Sequence, residues 1–130
     1  MYSRPIRTGG AGAQYRAIDV SSKIEGASPH RLVAILYEEL VLALSTMKMA
    51  IRRGDGLRQN EAQARALVIV QSLDSSLDFT KGGDIAGALS AVYAEVSRLT
   101  ALGGNAQDAE AIDRAQKLIA EIAEAWNQIG

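Results

Sequence analysis

The chain has 130 residues, with 14 Lys and Arg against 15 Asp and Glu, no cysteine, and a formal net charge of -1. That length is one domain's worth and can bury a core, while near-neutrality and scattered basic residues give no electrostatic footprint for nucleic acid or an anionic membrane. The lack of cysteine excludes disulfides, thiolate metal sites and thiol catalysis, and no run of about 18 apolar residues is present to span a membrane.

The opening stretch MYSRPIRTGGAGAQY has no apolar core of the kind a secretion signal needs, which points to a cytoplasmic location. Its small, polar, glycine-rich composition predicts a flexible segment over residues 1–27. Tyr15, Ile18, Val20 and Ile24 bring apolar side chains back near its end, which suits a short helix or an extended latch laid on the rest of the domain.

Beyond Pro29 the chain contains no proline and is rich in Ala, Leu, Glu, Gln and Arg, all good helix formers. Ser28-Pro29 predicts a helix start: the serine hydroxyl accepts a first-turn N–H, and proline at the first helical position lacks only a donor that would have gone unpaired. Arg52-Arg53 followed by Gly54 predicts its end. Within it Val33, Leu36, Leu40, Leu44, Met47 and Ile51 form one stripe at spacings of three and four. Leu32, Ile35, Leu42 and Met49 form a second apolar set on a different face. A helix with two such faces is central to a bundle or keeps one for a partner, and spacing alone leaves the two interchangeable.

Three further stripes follow. Ala66, Val70, Leu73 and Leu77 define the second helix, Ile85, Leu89, Val92, Val96 and Leu99 the third, and Ile112, Ala115, Ile119, Ile122, Trp126 and Ile129 the fourth. With Gly54/Gly56, Gly82/Gly83 and Gly103/Gly104 as punctuation, the helices are expected at about 29–53, 57–80, 84–102 and 106–129. The fold class expected is all-α, an antiparallel up-down four-helix bundle over residues 28–130 behind the flexible N-terminal segment.

No set of residues supports catalysis, a metal or a cofactor. Lys81-Gly82-Gly83 places lysine before the glycines, the reverse of a phosphate-binding loop, and reads as a helix end with Asp84 favouring the next start. His30, the only histidine, has no evident second ligand, and its first-turn position does not suit a phosphotransfer bundle. Glu38 and Glu39 point apart and, like Asp74 and Asp78, read as solvated charge. Tyr37 and Tyr93 read as boundary residues with ring inward and hydroxyl outward, and Trp126 as core or interface. What stands out instead is surplus apolar surface, including Met47 and Met49, of the kind that receives an amphipathic partner helix.

Taken in order, Ala27-Ser28-Pro29-His30-Arg31-Leu32 with Leu36-Tyr37, Gly54-Asp55, Asn60-Glu61, Ser75-Ser76-Leu77-Asp78-Phe79 with Lys81-Gly82-Gly83 and Ile85-Ala86, Tyr93 with Arg98-Leu99, and Ala125-Trp126 resemble the flagellar secretion chaperone family FliS over about residues 15–130. The family often carries Asp-Gly where this chain has Glu38-Glu39, a second tyrosine at Glu95, and a different loop at 102–108. The resemblance implies an antiparallel bundle that binds the C-terminal segment of flagellin in the cytoplasm, prevents its premature polymerisation, and is presented as a cargo complex to the flagellar type III export gate. It matches Tyr15 to a tyrosine before the first helix, so that Tyr15, Ile18 and Val20 form the expected latch over the partner surface. Leu32, Ile35, Leu42 and Met49 are taken as the partner groove from their spacing, not from the family. The alternatives from other classes are a regulatory or phosphotransfer-type bundle adaptor and a structural oligomer joined through the spare face.

Overall fold

The computed structural model describes residues 24–129, which form four helices: α1 (Pro29–Arg53), α2 (Gly56–Ser75), α3 (Phe79–Ala106) and α4 (Ala109–Ile129). They pack in a ring, α1 against α2 and α4, and α3 against α2 and α4. Pairings such as His30 with Trp126 and Lys48 with Asp113 run in opposite chain directions, so the bundle is up-down and antiparallel, as expected.

The first helix starts and stops as its sequence predicts. Ser28, at ψ 162°, accepts from the Arg31 N–H at 3.1 Å, Pro29 follows it, and Gly54 ends the helix at φ 71° with its N–H turned back to Ala50 and Ile51. The stripe Leu40, Leu44 and Met47 is fully buried, flanked by Val33, Leu36 and Ile51, so the first of the two apolar sets forms the core side. Val70 and Leu73 from α2, Val96 and Leu99 from α3, and Ile112, Ala115 and Ile119 from α4 complete that core. Each large aliphatic side chain fully removed from water contributes about 1.5–3 kcal/mol, which makes these stripes the main source of stability.

Four boundaries differ from the expectation: the end of α2, both ends of α3 and the start of α4. The second helix ends at Ser75, not near 80. The Ser75 and Ser76 hydroxyls donate to the Gln71 and Leu73 carbonyls at 2.8 Å, and Asp78 caps the next helix by accepting from the Thr80 and Lys81 N–H groups at 3.0 Å. The corner is therefore made by Ser76–Asp78, and the glycines lie beyond it. Gly83, not Gly82, takes positive φ (51°, ψ -123°), a break inside α3 that separates its opening turn from the regular helix.

The pair Gly103-Gly104 does not end α3 at all. Both residues are buried within it; a Cβ on Gly103 would overlap Ile112 Cδ1 and lie 3.0 Å from the Asp108 carbonyl oxygen, and one on Gly104 would overlap the Gln63 carboxamide. These glycines allow close helix approach. The turn falls at Gln107 (φ 55°), whose carboxamide donates to the Gly104 carbonyl at 3.0 Å, and Asp108 caps α4 by accepting from the Glu110 N–H at 3.0 Å.

Candidate functional site

Three polar side chains that a surface reading would leave in water, Tyr37, Tyr93 and Glu39, are built into the packing. The Tyr37 and Tyr93 hydroxyls meet at 2.7 Å with both residues buried, a diagonal link from α1 to α3 rather than two outward-facing phenols. Burial raises both hydroxyls above their ordinary pKa, so the pair stays protonated and each group has its partner. Glu39 is 3% exposed and accepts from Arg65 Nη2 at 3.1 Å, whereas its neighbour Glu38 is exposed and meets Arg31 at 3.2 Å. The outward expectation holds for Glu38 and fails for Glu39, because α2 brings a cation from 26 positions away onto that side of α1.

His30 is committed to structure. Its ring stacks on Trp126 with centroids 4.6 Å apart, Nε2–H donates to the Trp126 carbonyl at 2.8 Å, and Trp126 Nε1–H donates to the His30 carbonyl at 2.9 Å. This reciprocal clamp joins the start of α1 to the end of α4. Further along the same seam Lys48 donates to Asp113 and to Gln116 Oε1, each at 2.8 Å, and Gln116 Nε2 donates to the Val41 carbonyl at 3.0 Å and to the Ser45 hydroxyl. Hydrogen bonds from Lys48 and then Lys117 hold the Asp113 carboxyl below the usual carboxylate range. Among the described residues no group of three or more His, Asp or Glu is arranged to hold a metal ion, and no helix is long and apolar enough to cross a membrane.

The remaining side of α1 is different. Leu42 and Met49, seven residues apart on one face, are 41% and 47% exposed. Leu32 is half-buried. Ile35 is on the same outer face but fully buried, and it lies outside the cluster that the four helices bury between them. Alongside this face a cleft of about 300 Å³ opens between α1 and α2, lined by Leu36, Glu39, Ala64, Arg65, Val68 and Ile69. Val68 is 63% exposed, and periodicity on α2 alone did not single it out. Tyr15, Ile18 and Val20, the expected latch, lie outside the described residues.

Other apolar side chains also reach the surface. Phe79 and Ile85, on either side of the Gly83 break, are 56% and 72% exposed, so the corner is anchored by Leu77 and not by Phe79. The third stripe packs against the core only from Leu89 onward. Ile129, last in its stripe, is exposed as well.

The sequence profile described as "Flagellar protein FliS" matches residues 11–130. The chain is 35% identical to the flagellar secretion chaperone FliS of Salmonella typhimurium over 116 residues, covering 88% of this chain and 86% of that protein. It is 32% identical to the flagellar secretion chaperone FliS of Vibrio cholerae, covering 88% and 85% of the two chains, and 24% identical to the flagellar secretion chaperone FliSB of Pseudomonas aeruginosa, covering 89% and 92%. With its four-helix fold and the profile spanning nearly its whole length, the chain belongs to the FliS family of flagellar secretion chaperones.

Proposed function

We propose that this chaperone binds the C-terminal segment of flagellin in the cytoplasm, keeps it from polymerising prematurely, and delivers it to the flagellar type III export gate. The observation that carries this reading is the outer face of α1, where Leu42 and Met49 stay in water beside the apolar cleft walled by Leu36, Val68 and Ile69. An amphipathic segment laid there removes apolar surface from water on both partners. Leu32 and Ile35 join the groove in this reading, and the segment carrying Tyr15, Ile18 and Val20 competes with cargo for it.

No covalent step is involved. Folding of a tail upon binding typically buries roughly 1,000–3,000 Å², and the cost of ordering the tail offsets several kcal/mol of the gain, which leaves the complex able to release its cargo at the gate. Calorimetric titration of the full chain with the flagellin C-terminal segment tests this. Saturable one-to-one binding, with the negative heat-capacity change of apolar burial, is expected. Absence of binding, with the helical circular dichroism intact, contradicts the proposal.

A further inference from the structure

Two methionines near the end of α1 point opposite ways. Met47 is fully buried in the interhelical core. Met49, two positions on and so about 200° around the helix, is 47% exposed. Both carry the same soft, polarizable thioether, which a peroxide oxidises directly. The sulfur takes one peroxide oxygen: the O–O bond breaks, an S–O bond forms, and the other oxygen leaves as water. Sulfur loses two electrons in this step and the peroxide gains them. No cysteine in the chain competes for the oxidant. The fold therefore separates two chemically equal groups by access alone.

The consequences of oxidation differ as well. An oxygen on Met47 would set an unmatched polar group in the core, whereas on Met49 it alters only the surface and leaves the helices packed. Met49 lies seven positions from exposed Leu42, on the face proposed to receive cargo. As a thioether it offers that cargo a flexible apolar side chain. As a sulfoxide it carries a strong acceptor that an apolar partner face would have to desolvate. Exposed Arg52 and Arg53 stand three and four positions further along α1, the spacing of helix neighbours, so their guanidinium groups can hold that oxygen at the surface.

We propose that Met49 is a peroxide-sensitive modification site, and that its conversion to the sulfoxide weakens cargo binding on the outer face of α1 while Met47 is spared. The effect on cargo rests on the flagellin-binding reading; the selectivity between the two methionines does not.

The test treats the full chain with dilute hydrogen peroxide, removes the oxidant, and titrates the product calorimetrically with untreated flagellin C-terminal segment. Trypsin cuts after Lys48, so Met47 and Met49 fall in separate peptides, residues 32–48 and 49–52, and mass spectrometry reads each one's oxygen uptake. Met49 should be converted well before Met47, with helical circular dichroism unchanged. Affinity should then fall about tenfold or more, the scale of one apolar side chain lost from an interface. The two methionine sulfoxide reductases, one for each epimer, should together restore it. Whatever its starting affinity, Met49→Leu should give the same value before and after peroxide, and Met47→Leu should keep the wild-type loss. Met1 is present in both variants and is thereby controlled. Oxidation of Met47 as fast as Met49 overturns the selectivity. Full affinity with Met49 converted, or a loss that persists in Met49→Leu, overturns the effect on cargo and leaves the flagellin reading standing. Failure of the untreated chain to bind overturns the flagellin reading and that effect together, while the peptide map still decides the modification.

Discussion

The two flanks of α1 face the same kind of neighbour and are finished in opposite ways. Toward α4 the seam is closed by specific polar contacts: the His30–Trp126 clamp, the Lys48–Asp113 pair, and a Gln116 carboxamide donating to the Val41 carbonyl and the Ser45 hydroxyl of α1. Toward α2 and outward, the described residues show a cleft, the Glu39–Arg65 ion pair, and the partly exposed side chains of Leu42 and Met49. Satisfied directional bonds fix a helix in register, whereas apolar surface without them can exchange partners. The α4 seam thus fixes α1 in register. Under the proposed function, stability and binding fall to different residues of one helix, and substitutions on each flank can separate them.

The largest effect on stability is expected from the core stripe. Leu44, fully buried, should cost about 3 kcal/mol when cut to Ala, read from the midpoint of urea unfolding. Next comes Tyr37→Phe, which strands the Tyr93 hydroxyl in the interior and should cost about 1–3 kcal/mol. The double change Tyr37→Phe with Tyr93→Phe should recover part of that loss, because no orphaned group remains. The same pair predicts an alkaline limb. With both folded-state pKa values raised, its stabilisation is complete below the ordinary tyrosine value and declines as pH rises above it, and the doubly substituted chain should lose stability less steeply there.

A smaller effect belongs to Asp113. Its carboxyl is held low by Lys48 and Lys117, so its contribution is present above the ordinary carboxylate pKa and lost as pH falls through the lowered folded-state value. Asp113→Asn should therefore make the acid side of a pH–stability profile shallower, and an unchanged profile would show that the seam does not depend on that charge. Smallest of all on stability is Leu42→Asp, within about 0.5 kcal/mol of wild type because the side chain already stands in water. Its effect on cargo binding should be the greatest of these variants. Ile35→Asp cannot serve the same purpose, since a charge at a fully buried position will disturb the fold along with any binding.

What could be read from the sequence was local. Ser28-Pro29 and Arg53-Gly54 bound α1 because capping depends on neighbours in the chain, and the stripe Leu40, Leu44, Met47 declares itself through helical spacing alone. What could not be read depends on residues brought together by the fold. Gly103 and Gly104 look like a helix stop until Ile112 and Gln63 are found against them. Glu39 looks like surface charge until Arg65 arrives from α2, and the two tyrosines look amphipathic until they face each other across the bundle. The Ser76–Asp78 corner was available to local reasoning, because serine hydroxyls that bond back to carbonyls and an Asp at the cap are recognised signals; the adjacent glycines obscured them. Around the proposed groove, spacing placed Leu42 and Met49 on an outer face, while the exposure of Val68 and the position of Arg65 beside it depend on how α2 packs on α1.

If cargo binds the outer α1–α2 face, as proposed, methyl-detected NMR of the chain titrated with the flagellin C-terminal segment will show it residue by residue. The methyl signals of Leu42, Met49 and Val68 should move on binding, with those of Leu102 and Ile129, exposed elsewhere on the bundle, left in place. Saturable binding that shifts Leu102 or Ile129 and leaves Leu42, Met49 and Val68 unmoved would contradict it.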